Sequence, residues 1–249
     1  RQRAEALARV LHVAQDSEPV REAIVTLPLT YCYSFCNQWI WSRVHQRRLR
    51  LTQGLSDPAA LEEALATAED AMLCLVGPQA ALLEDAMQTE SFPGIIRLHF
   101  AGGPFPTDLL PALRKRFPSA AIFNNYGCVE AMPRLTVKPV DAGFDGDIGR
   151  PLPGIELRAA QGRLEFRSPY GAVGTIGEEG FQPMLPDGWV STGDLAQQRA
   201  DGSWELLGRD TELFKRYGEK VSVPLVLETV RQTLDAHPAA YRDVDSRGE

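Results

Sequence analysis

Apolar and polar positions along the first half of the chain repeat with two periods. Residues 3–14 place Ala4, Leu7, Ala8 and Leu11 on one stripe, which predicts an amphipathic helix. Ile24 to Leu27 reads as a short strand stopped by Pro28. Residues 35–45, with Trp39, Ile40 and Val44, read as a helix, and Leu49 to Thr52 as another short strand. Ser56-Asp57-Pro58 caps a helix striped by Leu61, Ala64, Leu65 and Ala68, with the proline suited to its first turn. Ala71 to Val76 is an unbroken apolar run, the mark of a strand covered on both faces. A helix over 79–88, a strand over Ile95 to Phe100, a helix over Thr107 to Phe117 and a strand over Ala120 to Phe123 continue the alternation. The pattern predicts an α/β fold, a mainly parallel sheet with helices on both faces.

After residue 132 helical periodicity disappears, and Gly and Pro crowd in. Short alternating stretches follow at Leu135 to Lys138, Ile155 to Arg158, Leu164 to Arg167, Trp189 to Thr192 and Trp204 to Leu207. They predict a β-rich subdomain with tight turns. At Gly208-Arg209-Asp210 the texture changes again, toward a helix around Val226 to Leu234. The expected division is an α/β subdomain over 1–132, a β-rich subdomain over 133–207, a connection at 208–212, and the start of a small C-terminal α+β domain over 213–249.

Composition narrows the function classes. The 249 residues are 44% apolar and 24% charged, an ordinary globular balance. A net charge of −7 argues against a nucleic-acid surface, and no apolar run approaches the length of a membrane span. Cys32, Cys36, Cys74 and Cys128 form no CxxC pair, so free thiols in a reducing cytoplasm are expected. His12, His45, His99 and His237 show no ligand spacing and receive no role.

Two neighbouring breaks carry the candidate chemistry. The run Ile95 to Phe100 ends at Ala101-Gly102-Gly103-Pro104, and the run Ala120 to Phe123 leads to Asn125-Tyr126-Gly127-Cys128-Val129-Glu130. Strands that end in small-residue turns leave backbone groups free at one crevice, the way open α/β sheets build ligand sites. A flat heterocycle fits such a crevice, with Tyr126 on one face.

Four stretches then recur in a fixed order: Leu27-Pro-Leu-Thr-Tyr-Cys-Tyr33, Asn125-Tyr-Gly-Cys-Val-Glu130, Ser191-Thr-Gly-Asp-Leu195, and Gly208-Arg209 followed by Lys215, Gly218 and Val221. Together they resemble the adenylate-forming superfamily of acyl- and aryl-CoA synthetases, peptide-synthetase adenylation domains and luciferases, over roughly residues 20–230. The resemblance implies a two-step reaction using ATP and Mg²⁺. A small carboxylic acid is adenylated, then passed to a thiol, either CoA or the phosphopantetheine of a carrier protein. It implies that Tyr126 stacks on adenine, that Gly103, Pro104 and Phe105 form the facing wall, and that Asn125 meets the adenine edge. Glu130 is matched to the Mg²⁺-holding acid and Asp194 to the acid that accepts the ribose hydroxyls, a diol that a two-oxygen carboxylate spans. Arg209 is matched to the ribose- and phosphate-contacting arginine. Asp210 to Glu212 match the hinge of the small domain, and Lys215 and Gly218 the loop of the thioester step. Tyr31, Cys32, Tyr33, Gly103 and Val129 are matched to the acyl or aryl pocket.

The sequence departs from the pattern in places. Val129 stands where the superfamily usually has threonine, and it has no hydroxyl to donate. The Ser/Thr/Gly-rich phosphate loop and the C-terminal adenylation lysine have no match in the chain. The expectation is therefore a part of a longer ligase, one half of a split enzyme, or a non-catalytic nucleotide-binding or scaffold relative.

Overall fold

The computed structural model describes residues 1–141, 144–184 and 188–209, strand backbone at 213–216 and 219–222, and single helical positions at 230 and 233. The chain opens with helix α1 (Gln2–Ala14), whose buried stripe is Ala4, Leu7, Ala8 and Leu11. Strand β1 (Glu22–Val25) follows, then helical turns α2 (Cys32–Ser34) and α3 (Trp41–His45) joined by a π-helical stretch, Phe35–Ile40. Strand β2 (Arg48–Leu51), α4 (Pro58–Ala66), β3 (Ala71–Leu75), α5 (Gly77–Ala86), β4 (Ile95–Phe100), α6 (Leu110–Arg116) and β5 (Ala121–Tyr126) continue the alternation. Asp57 caps α4 by accepting the Ala60 N–H at 3.2 Å, with Pro58 at the start as expected.

Together with β6 (Thr136–Pro139) these strands form one six-stranded sheet in the order β2-β1-β3-β4-β5-β6. All pairings are parallel except β5–β6. Strand β3 is buried at every position, as an apolar run covered on both faces must be. One face packs Ile24, Leu73, Leu75, Leu98, Phe100 and Ile122 beneath α4, α5 and α6. The other packs Ala23 and Met72 against Ala4, Ala8, Cys36, Ile40 and Trp41 of the N-terminal helices. The expected mainly parallel α/β fold with flanking helices is what the chain adopts.

The second half forms a four-stranded antiparallel sheet, β12-β11-β8-β7, from β7 (Glu156–Ala160), β8 (Arg163–Arg167), β11 (Val190–Gln198) and β12 (Trp204–Arg209). A separate hairpin joins β9 (Gly174–Gly177) to β10 (Gly180–Pro183), and another joins β13 (Leu213–Arg216) to β14 (Glu219–Ser222). Leu7 and Leu11 of α1 reach Leu152, Ile155 and Phe166, so the first helix is packed between the two sheets.

Three local readings change. The strand expected at Ile24 to Leu27 lies at Glu22–Val25. The strand expected to end at Phe123 runs on to Tyr126, because Asn124 and Asn125 find carbonyl partners at Asp147 and Phe100. The stretch near Leu135 to Lys138, read with the β-rich half, pairs with β5 and closes the parallel sheet as its antiparallel edge.

Candidate functional site

Tyr126 is the last residue of β5, and the chain behind it folds back tightly. A Cβ on Gly127 would lie 1.9 Å from the Pro133 carbonyl oxygen and 2.9 Å from Arg134 Cα, so only glycine fits. A 3₁₀ turn, Val129–Ala131, follows, then Leu135 N–H bonds the Tyr126 carbonyl at 2.9 Å. This closure fixes Tyr126 at the mouth of the sheet and carries Glu130 on the turn.

Asp194 arrives from the other sheet. Pairing of β11 with β8 is interrupted between Ser191 and Leu195, with Gly193 at φ +77°. Such a bulge re-aims the side chains around it. Thr192 holds the turn: its hydroxyl donates to the Leu164 carbonyl at 3.0 Å and accepts the Asp194 N–H at 3.1 Å. Asp194 lies directly across from Arg209 in the β11–β12 register.

These placements bring three predicted residues together. The Tyr126 phenol donates to Asp194 Oδ2 at 2.5 Å, and Arg209 Nε donates to Asp194 Oδ1 at 3.0 Å. Each carboxylate oxygen thus has a partner, while Arg209 keeps 61% of its side chain in solvent. Burial, and then the bond to Asp194, push the phenol well above the usual tyrosine range, so its proton stays available to donate. Cys128 lies close enough to feel both Glu130 and Asp194, and burial with these charges moves its thiol up to about 12. It is a packing thiol and a poor nucleophile at neutral pH.

The other predicted residues are placed as follows. Gly103 and Pro104 are exposed on the turn after β4, and a Cβ on Gly103 would meet open space. The Phe105 ring packs edge-on against Phe100 and Phe144, both at 5.1 Å, so it serves the core beneath the turn. The Asn125 side chain is spent inside the fold, donating to Phe100 O at 3.0 Å and accepting from Gln15 Nε2 at 3.3 Å. Val129 is 67% exposed beside the half-buried Glu130. Tyr31 is exposed, while Cys32 and Tyr33 are half-buried. The Tyr33 hydroxyl donates to the His99 carbonyl at 3.1 Å, and the Cys32 and Cys36 sulfurs lie 3.7 Å apart. All four cysteines are free thiols. Lys215 lies on β13, for which only the backbone is described, and Gly218, Asp210 to Glu212 and nearly all of 226–234 fall outside the described residues.

Sequence reasoning gave no role to Arg134 or His99. Both are buried at 1% exposure, beside Tyr33. The available signal was a charged residue directly before the apolar Leu135 and a histidine inside the apolar run Ile95 to Phe100.

No described helix is long and apolar enough to cross a membrane, and among the described residues no group of three or more His, Cys, Asp or Glu gathers to hold a metal ion. The family model described as AMP-binding enzyme matches residues 3–178. A curated relative, 4-coumarate–CoA ligase-like 6 of Oryza sativa subsp. japonica, is 26% identical over 182 residues, covering 65% of this chain and 30% of its own length. The structure of wild-type E. coli MenE with a bound phenylether-linked analogue of OSB-AMS superposes with a TM-score of 0.74 at 21% identity, over 94% of this chain and 50% of that one. O-succinylbenzoate coenzyme A synthetase from Bacillus subtilis, in complex with ATP and magnesium ion, gives 0.73 at 20% identity, over 92% and 50%. The chain spans about half the length of these solved proteins.

Proposed function

The chain belongs to the AMP-binding enzyme family, and from that membership we propose that it activates a carboxylic acid as an acyl- or aryl-adenylate and serves its transfer to a thiol. In the first step a carboxylate oxygen attacks the α-phosphorus of ATP, the bond to the β-phosphate oxygen breaks, and pyrophosphate leaves. In the second a thiolate of CoA or of a carrier-protein phosphopantetheine attacks the acyl carbon and AMP leaves.

The observation that carries this reading is the convergence of Tyr126, Asp194 and Arg209 from two sheets onto one carboxylate. Asp194 takes the ribose diol, exchanging its internal donors for the sugar hydroxyls. Tyr126 offers its ring to the purine, with the exposed turn at Gly103 and Pro104 as the proposed opposite wall. Arg209, largely in water and bonded to Asp194, carries the cationic fork that suits a phosphate. Magnesium ion commonly binds one or two carboxylates plus substrate phosphates, and the single half-buried Glu130 beside this cluster fits that mode. Mg²⁺ when bound would neutralise charge building on the phosphates. The chain's own part is positioning and directed hydrogen bonding. The small domain expected beyond residue 208, with Lys215 and Gly218 serving the thioester step, belongs to the same proposal.

A second reading is a nucleotide-binding relative without the chemistry. It is favoured by Val129, an exposed apolar side chain where the superfamily usually has a hydroxyl. Carboxylate-dependent ATP–pyrophosphate exchange by the full-length protein decides between them. Exchange with any member of a broad acid panel supports the ligase, and AMP binding without exchange on the whole panel sinks it.

A further inference from the structure

Among the described residues, Arg97, Arg116 and Arg134 are largely buried, and Arg134 is unlike the other two. Arg97 donates to the carbonyls of Gln15, Asp16 and Ile96 and to the Asp16 carboxylate at 2.9 Å. Arg116 is held by the Glu84 carboxylate at 3.0 Å and by the Thr89 carbonyl. Arg134 is the most buried of the three, and its Nε and Nη2 have no hydrogen-bond partner. Among the described residues no carboxylate is paired with it.

Its surroundings are aromatic and polar. The guanidinium carbon lies 4.9 Å from the centre of the Tyr33 ring. The Tyr33 hydroxyl is tied to the His99 carbonyl, which fixes that ring as a wall. Cys74, His99 and Phe123 are register neighbours on adjacent strands, so they share one face of the sheet below. His99 stacks on Phe123 at 5.1 Å, and neither of its ring nitrogens has a partner. Burial and the neighbouring Arg134 hold the imidazole down to about 3, so it is neutral, with one donor and one acceptor unused. The half-buried Cys32 is influenced by both Arg134 and Glu130.

A guanidinium stays protonated at any ordinary pH, and a buried charge without a partner is strongly disfavoured. Arg97 and Arg116 show that this fold satisfies an arginine it keeps for architecture. We propose that Arg134 is a substrate-recognition residue: it pairs with a second, anionic oxygen group at the far end of the acid, and selects dicarboxylic or comparably anionic substrates over plain monoacids. The neutral His99 supplies one further hydrogen bond to that group. The inference rests on the ligase reading above and names its substrate class.

The test is ATP–pyrophosphate exchange by the full-length protein with paired acids: butyrate to heptanoate against succinate to pimelate, and benzoate against the three benzenedicarboxylates. At least one diacid is expected to exceed its monoacid partner about tenfold or more in kcat/KM. Arg134→Met is expected to abolish that preference through KM, with kcat little changed, and Arg134→Lys to keep part of it. Without substrate, Arg134→Met should raise Tm, by about 3 °C or more, because an unpaired charge leaves the core. Exchange in which monoacids match or beat every diacid, or in which Arg134→Met keeps the preference, overturns the inference and leaves the ligase reading standing. A lower Tm for Arg134→Met marks the side chain as architectural and overturns it as well. Absence of exchange with all acids takes down both.

Discussion

Arg209 and Arg134 are treated in opposite ways. Arg209 lies at the edge of the antiparallel sheet, 61% exposed, and still has the Asp194 carboxylate at 3.0 Å. Arg134 lies under the parallel sheet's mouth, sealed from solvent, with two nitrogens unmatched. Bulk water could satisfy the first without help, whereas the second is 1% exposed. Around Asp194 every charge is matched before a ligand arrives, so a ligand there must exchange one partner for another. Around Arg134 two donors have no partner, so on the proposed reading an anion there would add bonds without breaking an existing ion pair. On the proposed reading the first region works by exchange and the second by capture.

One change should disturb both regions at once. Gly127→Ala forces the backbone of Pro133 and Arg134 away from β5, since the added carbon would sit 1.9 Å from a carbonyl oxygen. A stability loss of ~3 kcal/mol is expected from urea denaturation, with AMP affinity falling in parallel. Unchanged stability would mean that the two clusters are not coupled through this turn. Asp194→Ala should break the exchange region alone. AMP affinity measured by calorimetry on the full-length protein should fall by roughly 2 kcal/mol, since bonds to a charged group are lost, while the diacid preference survives. An affinity within twofold of the parent would remove Asp194 from the ribose role. The smallest effect sharpens the capture region. His99 is held down to about 3 from its ordinary 6.5 by burial, then by Arg134 and Arg97. Its folded value is depressed, so the unfolded chain takes up a proton that the folded one refuses. The stability it allows is fully present above about 6.5 and is lost as pH falls toward 3. His99→Leu should therefore flatten the loss of stability between pH 6.5 and 4.5 by up to about 1.4 kcal/mol per pH unit. Parallel curves for the two proteins would show that the ring accepts a proton in the folded state.

Legibility in the sequence followed the range of the forces involved. Strand β3 was readable because five consecutive buried positions leave an unbroken apolar run. The start of α4 was readable because Asp57 and Pro58 act within their own turn. The turns beside Tyr126 and Asp194 were readable because each holds a glycine that the backbone demands, while the roles of the two side chains came from the resemblance to the superfamily. The end of β5 was not, since Asn124 and Asn125 look like loop residues until their distant partners Asp147 and Phe100 are in place. The β9–β10 hairpin also escaped notice: Ile176 and Phe181 are exposed among glycines, which hides the alternation of a half-buried strand. Arg134 was silent for the same reason as β5. Nothing nearby in the chain reports that Tyr33 and His99 will enclose it.

The short bond from Tyr126 to Asp194 has one more consequence. The tyrosine ends the parallel sheet and the aspartate belongs to the antiparallel one, so this contact is a stitch between two halves of the fold. A visitor that claims the aspartate must undo the stitch and then replace it by gripping both halves itself. A molecule carrying both a purine and a sugar can do so. On the proposed reading a bare sugar or a lone base would hold only one side, and a sugar would also have to displace the phenol from the aspartate.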